Sequence, residues 1–484
     1  MIKRHAEKKT GYPKILLISA FFDEGSSVGK TKSMKTVMNI IPPLGLLYIA
    51  SSLEAAGYKN QVRIVDCQLS VGYSALAGIL RRERPSVVGL TCTTSSFRSA
   101  LSAAKLVKKI YPSVPVMLGG AHATATPDLS LKCGFFDYLV LGEGEETSVE
   151  LVDYLCGRSN KKLEEIRGIA YVGRQGKIVR NERREFIHDL DRIPFPAMHL
   201  LPPPSRYHPT PASYRKLPQT HLMTSRGCPN RCAFCDTAVF GMKYRERSVK
   251  NVMEEIDALV KKYGVKDIRF FDDTFTLNKR RALAICDEMK KRNLSWCCNT
   301  RVDRIDYDLL RKMKKSGCYQ VLFGIESGDD LTLKRLRKGS TVEQNARAIK
   351  LAKKAGLNVR CDFIVGVPGD TLESMKKSVD FAIRMNPDFA HFNKFTPFPG
   401  TQLCRDLERA GYRFDFARMP VQLDHSDAVY VPQGLTRKEY KEFLDCSFKR
   451  FYLRPRYILR QILQIRSFRD IKRLRDGFFA VWGL

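Results

Sequence analysis

Short apolar runs alternate with stretches of helical periodicity along residues 1–154. The runs Ile15-Leu16-Leu17-Ile18, Val62–Asp66, Val87–Thr91, 114–120 and 138–142 have the length and branched-residue content of buried strands. Between them, residues 44–56 and 99–110 carry apolar side chains at helical spacing, and Gly57 stands where the first helix should end. Strand–helix alternation at this spacing predicts a doubly wound parallel sheet, which takes its ligands at the carboxyl ends of the strands. Small or hydroxylic residues fall there: Thr91, Thr93, Thr94, Ser95, Gly119, Gly120 and Gly142.

A second alternation fills residues 216–410. The apolar-rich run His221-Leu222-Met223-Thr224 predicts a strand, followed by strands at 268–273, Ser295–Thr300, 320–325, Asn358–Val365 and 389–395. Helical spacing marks 248–263, 280–292, 308–316, 342–355 and Leu372–Met385. Six strand–helix repeats fit an open barrel, whose active-site groups belong at the carboxyl ends of the strands. Asp272, Asp273, Arg301, Glu326 and Asn393 fall at those ends. Residues 155–215 read as a connector, with a strand candidate at 168–172 and a proline-rich strap through Pro194, Pro196 and Pro202-Pro203-Pro204.

The last part, 411–484, holds a helical pattern over 456–478. Its apolar positions are Ile458, Ile462, Ile465, Phe468, Ile471, Leu474 and Phe478, with Arg460, Arg466, Arg469, Lys472, Arg473 and Arg475 between them. Two readings stand open. The helix, with Phe479 and Trp482, lies on an anionic membrane surface, or it packs on the barrel and solvates its basic face.

Composition narrows this picture. With 484 residues and 44% hydrophobic content, the chain is expected to be a soluble globular protein of several domains. No apolar run approaches the roughly 20 residues that span a bilayer, and the basic N-terminus lacks the apolar segment of a secretory signal. Fourteen cysteines without paired spacing are not a disulfide framework and favour a reducing cytoplasm. The net charge of +32 is spread along the whole chain. It suits a phosphorylated substrate, anionic lipid or no more than a solvated basic surface; without a binding-module signature, nucleic acid is not expected as a partner.

The chemistry is carried by Ser225-Arg226-Gly227-Cys228-Pro229-Asn230-Arg231-Cys232-Ala233-Phe234-Cys235-Asp236. The spacing lets Cys228, Cys232 and Cys235 converge from one loop on three irons of a 4Fe–4S cluster. A closed structural metal site takes four protein ligands, so three leave one position open for a substrate or cosubstrate.

This arrangement resembles the radical S-adenosylmethionine (radical SAM) enzymes, which carry the spacing at the end of the first strand of a partial (β/α)6 barrel. The resemblance implies that the open iron holds the amino and carboxylate groups of SAM, and that one electron cleaves it to a 5′-deoxyadenosyl radical. It further implies Phe234 near the adenine, with Ile364 on the adenine-side strand of Phe363-Ile364-Val365-Gly366-Val367-Pro368-Gly369-Asp370-Thr371. Asp272 or Asp273 would meet the SAM amino group, Arg301 its carboxylate and Glu326 the ribose hydroxyls.

The first domain is similar to the cobalamin-binding domain that precedes many such barrels, making it Rossmann-like. The matching pieces are Pro42-Pro43-Leu44-Gly45-Leu46-Leu47-Tyr48-Ile49-Ala50, Gly119-Gly120-Ala121-His122-Ala123-Thr124 and Gly142-Glu143-Gly144-Glu145. Thr91, Ser95, Gly119, Gly120, His122 and Gly142 are the implied cobalamin neighbours, although a lone histidine such as His122 is more often a structural loop residue. The loop Asp23-Glu24-Gly25-Ser26 lacks the histidine that ligates cobalt in other cobalamin proteins. Two decoys are set aside. The run 25–31 resembles a phosphate-binding loop but is one residue short between its glycines. Cys67, Cys92 and Cys133 miss two of the three positions that a methylthiotransferase domain requires, and read as packing residues.

Taken together, the resemblance implies a cobalamin-dependent radical SAM enzyme that methylates an unactivated carbon, one SAM remethylating cobalamin and a second generating the radical. Cyclisation or carbon–carbon bond formation in lipid or tetrapyrrole synthesis is the alternative within enzymes, and a cobalamin or cluster-binding sensor the alternative outside them. A small-molecule or lipid substrate and a reductant such as flavodoxin or ferredoxin are the implied partners.

Overall fold

The computed structural model describes residues 13–20, 40–69, 72–419 and 428–463, with Ile465, Ile471 and Arg475. The run 25–31, the loop at 23–26 and most of the tail pattern beyond Leu463 lie outside the described residues.

Strands β1 (Ile15–Ser19), β2 (Val62–Asp66), β3 (Val87–Thr91), β4 (Val116–Gly119), β5 (Tyr138–Val140), β6 (Ile169–Val172) and β7 (Ile178–Arg180) form one sheet in the order β2-β1-β3-β4-β5-β6-β7. The first five are parallel; β6 and β7 add antiparallel at one edge. Strand β1 explains the layering. Leu16 and Ile18 enter one apolar core with the helices Tyr73–Glu83 and Phe97–Ile110. Ile15 and Leu17 enter another with Leu44–Leu53 and Glu145–Leu155. A strand buried on both faces is the mark of a doubly wound sheet, as expected. The first helix continues through a wider turn to Tyr58, where Gly57 takes φ +93° and releases the chain.

The second sheet is parallel throughout. Its strands are β8 (Gln219–Leu222), β11 (Asp267–Phe270), β12 (Ser295–Thr300), β13 (Cys318–Glu326), β14 (Asn358–Val365) and β15 (Phe389–Lys394), neighbouring one another in that order. A two-stranded hairpin, β9 (Ser225–Arg226) with β10 (Arg245–Glu246), interrupts the sequence after β8. The result is an open (β/α)6 barrel, with helices packed on alternate residues of each strand.

The proline-rich strap closes the amino end of the barrel. Ser213 O accepts from Tyr319 Oη at 2.9 Å and Gln219 Nε2 at 2.7 Å, and Asp267 Oδ2 accepts from Arg215 N at 2.6 Å and Lys216 N at 3.1 Å. Tyr207 in the same strap donates to Asp66 of β2 at 3.1 Å, tying barrel and first sheet together. The C-terminal helix Arg437–Tyr452 lies along the β15 edge, where Tyr452 Oη both receives the Ala390 N–H (3.1 Å) and donates to its carbonyl (2.9 Å). The described start of the tail, Pro455–Leu463, rests on the barrel through Tyr457 and leaves Leu459, Ile462 and Leu463 exposed. No helix among the described residues is long and apolar enough to cross a membrane.

Candidate active site

The cysteine loop is positioned from beneath by Asp272. At the end of β11 this buried carboxylate accepts from Thr224 N (2.6 Å), Ser225 N (3.2 Å) and the Thr224 hydroxyl. Arg281 adds a bond to Thr224 O at 2.8 Å. Both oxygens of Asp272 are therefore spent on the turn leaving β8, and it has none to offer a SAM ammonium. The expectation that either aspartate could do so is corrected to Asp273. That residue is exposed, and no group among the described residues hydrogen-bonds it. Gly227 follows at φ +83°, and a Cβ there would lie 2.3 Å from Lys243 O, so only glycine passes.

Cys228 and Cys232 are half-buried and Cys235 exposed. The three thiols feel one another's charge. Although Cys235 as a residue keeps an exposed surface, desolvation of its thiol by the surrounding loop pushes it up to about 12, with Asp273, Cys232 and Cys228 adding to the rise. Burial also raises Cys232, against which Lys338 and Arg301 favour its thiolate. Arg301 Nη1 stands 3.7 Å from Cys232 Sγ. Among the described residues no three His, Cys, Asp or Glu side chains gather as a single metal ion requires. Cubane corners keep their thiolates further apart, so three neighbouring thiols with cations beside them fit a 4Fe–4S cluster.

A chain of contacts leads from Cys232 into the barrel. Arg301 forks onto Asp303 (2.9 and 3.3 Å) and donates to Lys338 O at 2.8 Å, and Lys338 Nζ pairs with Glu326 Oε1 at 2.8 Å. Glu326 takes φ +63° at a register shift at the end of β13, a conformation uncommon for a non-glycine residue. A Cβ on Gly324 would strike this pair, 2.3 Å from Glu326 Oε1. Phe234, 5.8 Å from Lys338 Nζ at the ring centroid, shares an apolar cluster with Ile364, Leu336 and Val367. Asp370 shapes the turn after β14 by accepting from Gly366 N and Val367 N, each at 3.1 Å. Lys338 escaped sequence reasoning because it sits in an aperiodic loop that only the tertiary fold brings to Glu326.

In the first domain, Thr91, Gly119, Gly120 and Gly142 line an open cleft whose cavity volume is about 160 Å³. Its other walls are apolar, from Leu17, Leu46, Ile49, Met117 and Val140, and the barrel adds Met223, Arg226, Val239 and Phe240. The Thr124 hydroxyl joins the two glycine loops, donating to Gly120 O at 2.9 Å and accepting from Gly142 N at 3.0 Å. Gly120 has φ +95°, with Cys92 O and Thr91 Oγ1 each 2.8 Å from the place of a Cβ. Glycine there lets the loop pack on β3, while a Cβ on Gly45 would meet nothing within 4 Å and one on Gly142 only Val239 O at 3.9 Å, so the cleft wall stays bare for the approach of a flat macrocycle.

Two expected neighbours stand elsewhere. Ser95 lies in the short turn after β3, away from the cleft lining. His122 is fully buried, stacked on Phe97 at 4.0 Å, with Nδ1 on Thr94 Oγ1 (3.2 Å) and Nε2 on Thr126 Oγ1 (3.0 Å). With both nitrogens engaged it is a core residue and not a cobalamin neighbour. Burial lowers its pKa to about 4. The unfolded chain therefore binds the extra proton first, and stability falls as pH drops from about 6.5 to about 4. His122→Gln should show a smaller fall in thermal midpoint between pH 7 and pH 5 than the parent; an equal fall would remove His122 as a source. Cys92 is likewise buried in this core, and Cys133 Sγ donates to Leu129 O at 3.3 Å.

A buried charge cluster, not foreseen from the sequence, joins the two domains. Arg226 Nη1 meets Glu143 Oε1 at 2.8 Å and Nη2 meets Glu145 Oε1 at 2.5 Å, while Arg245 Nη1 meets Glu143 Oε2 at 2.8 Å. Arg226 also lies over Tyr48 and Phe240, its Cζ 5.2 and 5.1 Å from their centroids. The acidic residues of Gly142-Glu143-Gly144-Glu145 thus hold the barrel, and all four residues contribute to the cleft wall.

Comparison with known proteins agrees with this architecture: the B12 binding domain family matches residues 32–152, and the radical SAM superfamily matches residues 222–382. The chain belongs to the cobalamin-dependent radical SAM enzymes. An uncharacterized methyltransferase of Pyrococcus horikoshii is 36% identical over 446 residues, which cover 91% of this chain and 94% of the relative. An anaerobic magnesium-protoporphyrin IX monomethyl ester cyclase of Rubrivivax gelatinosus is 30% identical over 424 residues, 86% of this chain and 75% of that protein. The structure of the cobalamin-dependent S-adenosylmethionine radical enzyme OxsB, with aqua-cobalamin and S-adenosylmethionine bound, shares the fold. Its TM-score is 0.71 at 18% identity, over 97% of this chain and 72% of that one. The cofactors are a 4Fe–4S cluster, SAM and cobalamin.

Proposed function

We propose that this enzyme methylates an unactivated carbon of a small-molecule substrate. The observation that carries the reading is the shared wall between its two sites. Arg226, two residues before Cys228, lines the glycine cleft together with Met223, Val239 and Phe240. Methyl transfer to a substrate radical needs the methyl donor and the radical source within reach of one substrate. The cluster, SAM and cobalamin together supply one-electron chemistry and a transferable methyl group.

The chain's own residues bind and orient. Cys228, Cys232 and Cys235 hold three irons. Asp273 faces the SAM ammonium and Arg301 the carboxylate. Glu326, fixed by Lys338, receives the ribose, and Phe234 and Ile364 flank the adenine. The backbone at Thr91, Gly119, Gly120 and Gly142 lets the corrin approach. Domain limits of 1–154, 155–215, 216–410 and 411–484 belong to this proposal, with β6 and β7 lent by the second segment to the first sheet. So do a reducing cytoplasm, a flavodoxin or ferredoxin as reductant, and peripheral contact of the tail with anionic membrane through Leu459, Ile462 and Leu463. Cyclisation is the second reading, favoured by the 30% identity to a cyclase.

Anaerobic reconstitution followed by metal analysis tests the cofactor assignment. About four irons and one corrin per chain are expected; iron without corrin, with cobalamin in excess, would refute it. Added methyl in the product, by mass spectrometry, separates methylation from cyclisation.

A further inference from the structure

Below the cysteine loop the inward face of the barrel strands carries polar side chains that keep part of their surface exposed. Along β14 and β15, Val359, Cys361, Phe363, Val365, Ala390 and Phe392 are buried against the helices, whereas Arg360, Asp362, Ile364, His391 and Asn393, on the inward face, stay partly exposed. On β11 the same alternation buries Ile268 and Phe270 and turns Arg269 inward, half-buried, with its Cζ 5.0 Å from the Phe271 centroid. Burial holds the Arg269 guanidinium below its ordinary value, Cys297, Tyr319 and Asp362 opposing the fall and Arg360 adding to it.

The inward face carries two guanidiniums, Arg269 and Arg360, and two carboxylates, Asp267 and Asp362; Asp267 Oδ2 is taken by the strap amides of Arg215 and Lys216. Arg360 Nε pairs with Asp362 Oδ1 at 3.2 Å, and its Nη2 meets His391 Nδ1 at 3.0 Å. Burial, with Arg360 next, lowers the His391 pKa to about 4, so the ring is neutral and accepts this bond. His221, lowered to about 4 by burial and Arg269, is neutral as well. Asp362 is thus matched to Arg360. Arg269 has neither a carboxylate within ion-pair distance nor a hydrogen-bond acceptor among the described residues. An enclosed guanidinium without a partner is costly, and a fork of N–H donors is the group that takes up a carboxylate or phosphate in two parallel bonds. Arg269 stands one residue before the end of β11 and four residues before Asp273, on the barrel side of the strand. Leu322, Ile364 and Asn393 line the space between.

We propose that Arg269, inside the barrel, receives an anionic group of the substrate: a phosphate, phosphonate or carboxylate. The proposal rests on the radical SAM reading and deepens it. The reacting carbon lies toward Cys232 and Phe234, separated from the anion by an apolar stretch facing Leu322 and Ile364.

Calorimetric titration of the anaerobically reconstituted holoenzyme with hexyl phosphate, hexanoate, hexanol and hexylamine is the test. At least one anion should bind about tenfold or more tighter than hexanol, with hexylamine weaker still. The tighter of the two anions names the group. Arg269→Met should bring the anion-to-alcohol ratio close to one and Arg269→Lys restore part of it, whereas a loosened barrel would weaken all probes alike. Iron and corrin content and the SAM-dependent change in the cluster's EPR spectrum report the integrity of each variant. Equal binding of anion and alcohol by the parent, no binding of any probe, or a ratio indifferent to Arg269→Met overturns the proposal. Absence of 5′-deoxyadenosine from the reduced parent with SAM alone would instead refute the enzyme reading, independently of the anion result.

Discussion

Cys228→Ala is expected to lose the cluster and, with it, all SAM cleavage above background, while the corrin is retained. The loop presents three thiols and no fourth protein ligand is called for, so two remaining thiolates cannot hold a 4Fe–4S cluster firmly. Asn230, whose Nδ2 donates to Cys228 Sγ at 3.2 Å, offers no replacement for a thiolate. The corrin should survive because its cleft is built largely on the first sheet and none of its lining residues is a cysteine. Iron and cobalt analysis with quantification of 5′-deoxyadenosine checks both halves. A variant that keeps four irons and turns over would remove the triad from the site; one that loses corrin with iron would show that the two sites fold as a unit.

Arg226→Met should produce the largest loss of stability. Its guanidinium is 4% exposed and bonded to Glu143 and Glu145, which are 3% and 9% exposed. Removing one partner of a buried ion pair costs about 3–5 kcal/mol, because a charge is left without compensation. Glu143 would keep Arg245, but Glu145 would have no cation within ion-pair distance among the described residues. For a domain of this size the thermal midpoint should fall on the order of 10 °C. Arg226→Met combined with Glu145→Gln should recover part of the loss, the signature of a coupled pair. Midpoints within about 2 °C of the parent for the single variant would show the cluster to be energetically idle.

Both sheets were legible because their strands are short, uninterrupted and separated by helical periods. The cysteine loop was legible because its chemistry is local in sequence. What escaped notice is long-range. Lys338 meets Glu326, and Arg226 meets Glu143 and Glu145, across loops that no periodicity links. Asp272 and Asp273 are a different case. Ile268 and Phe270 point to the helices, so the two-residue period sends Arg269, Phe271 and Asp273 inward and Asp272 away. The pattern was present and would have chosen between them. The rule that a lone histidine is more often structural held for His122, though a five-residue helix after β4, and not a loop, turns its ring into the core. Strand β7 is only three residues long at a sheet edge and gave no period to read.

The hydroxyl of Tyr452 on Ala390 bears on how the enzyme behaves in a crowded cell. An open barrel has two unpaired borders, and a bare strand there is a template for another molecule's backbone. One phenol satisfies both the donor and the acceptor of Ala390, midway along β15, and Tyr457 takes the carbonyl of Asp388 just before it. The C-terminal helices thereby act as a guard rail against strand-to-strand association. A barrel that must stay open for its chemistry can do so without recruiting a neighbour to close it.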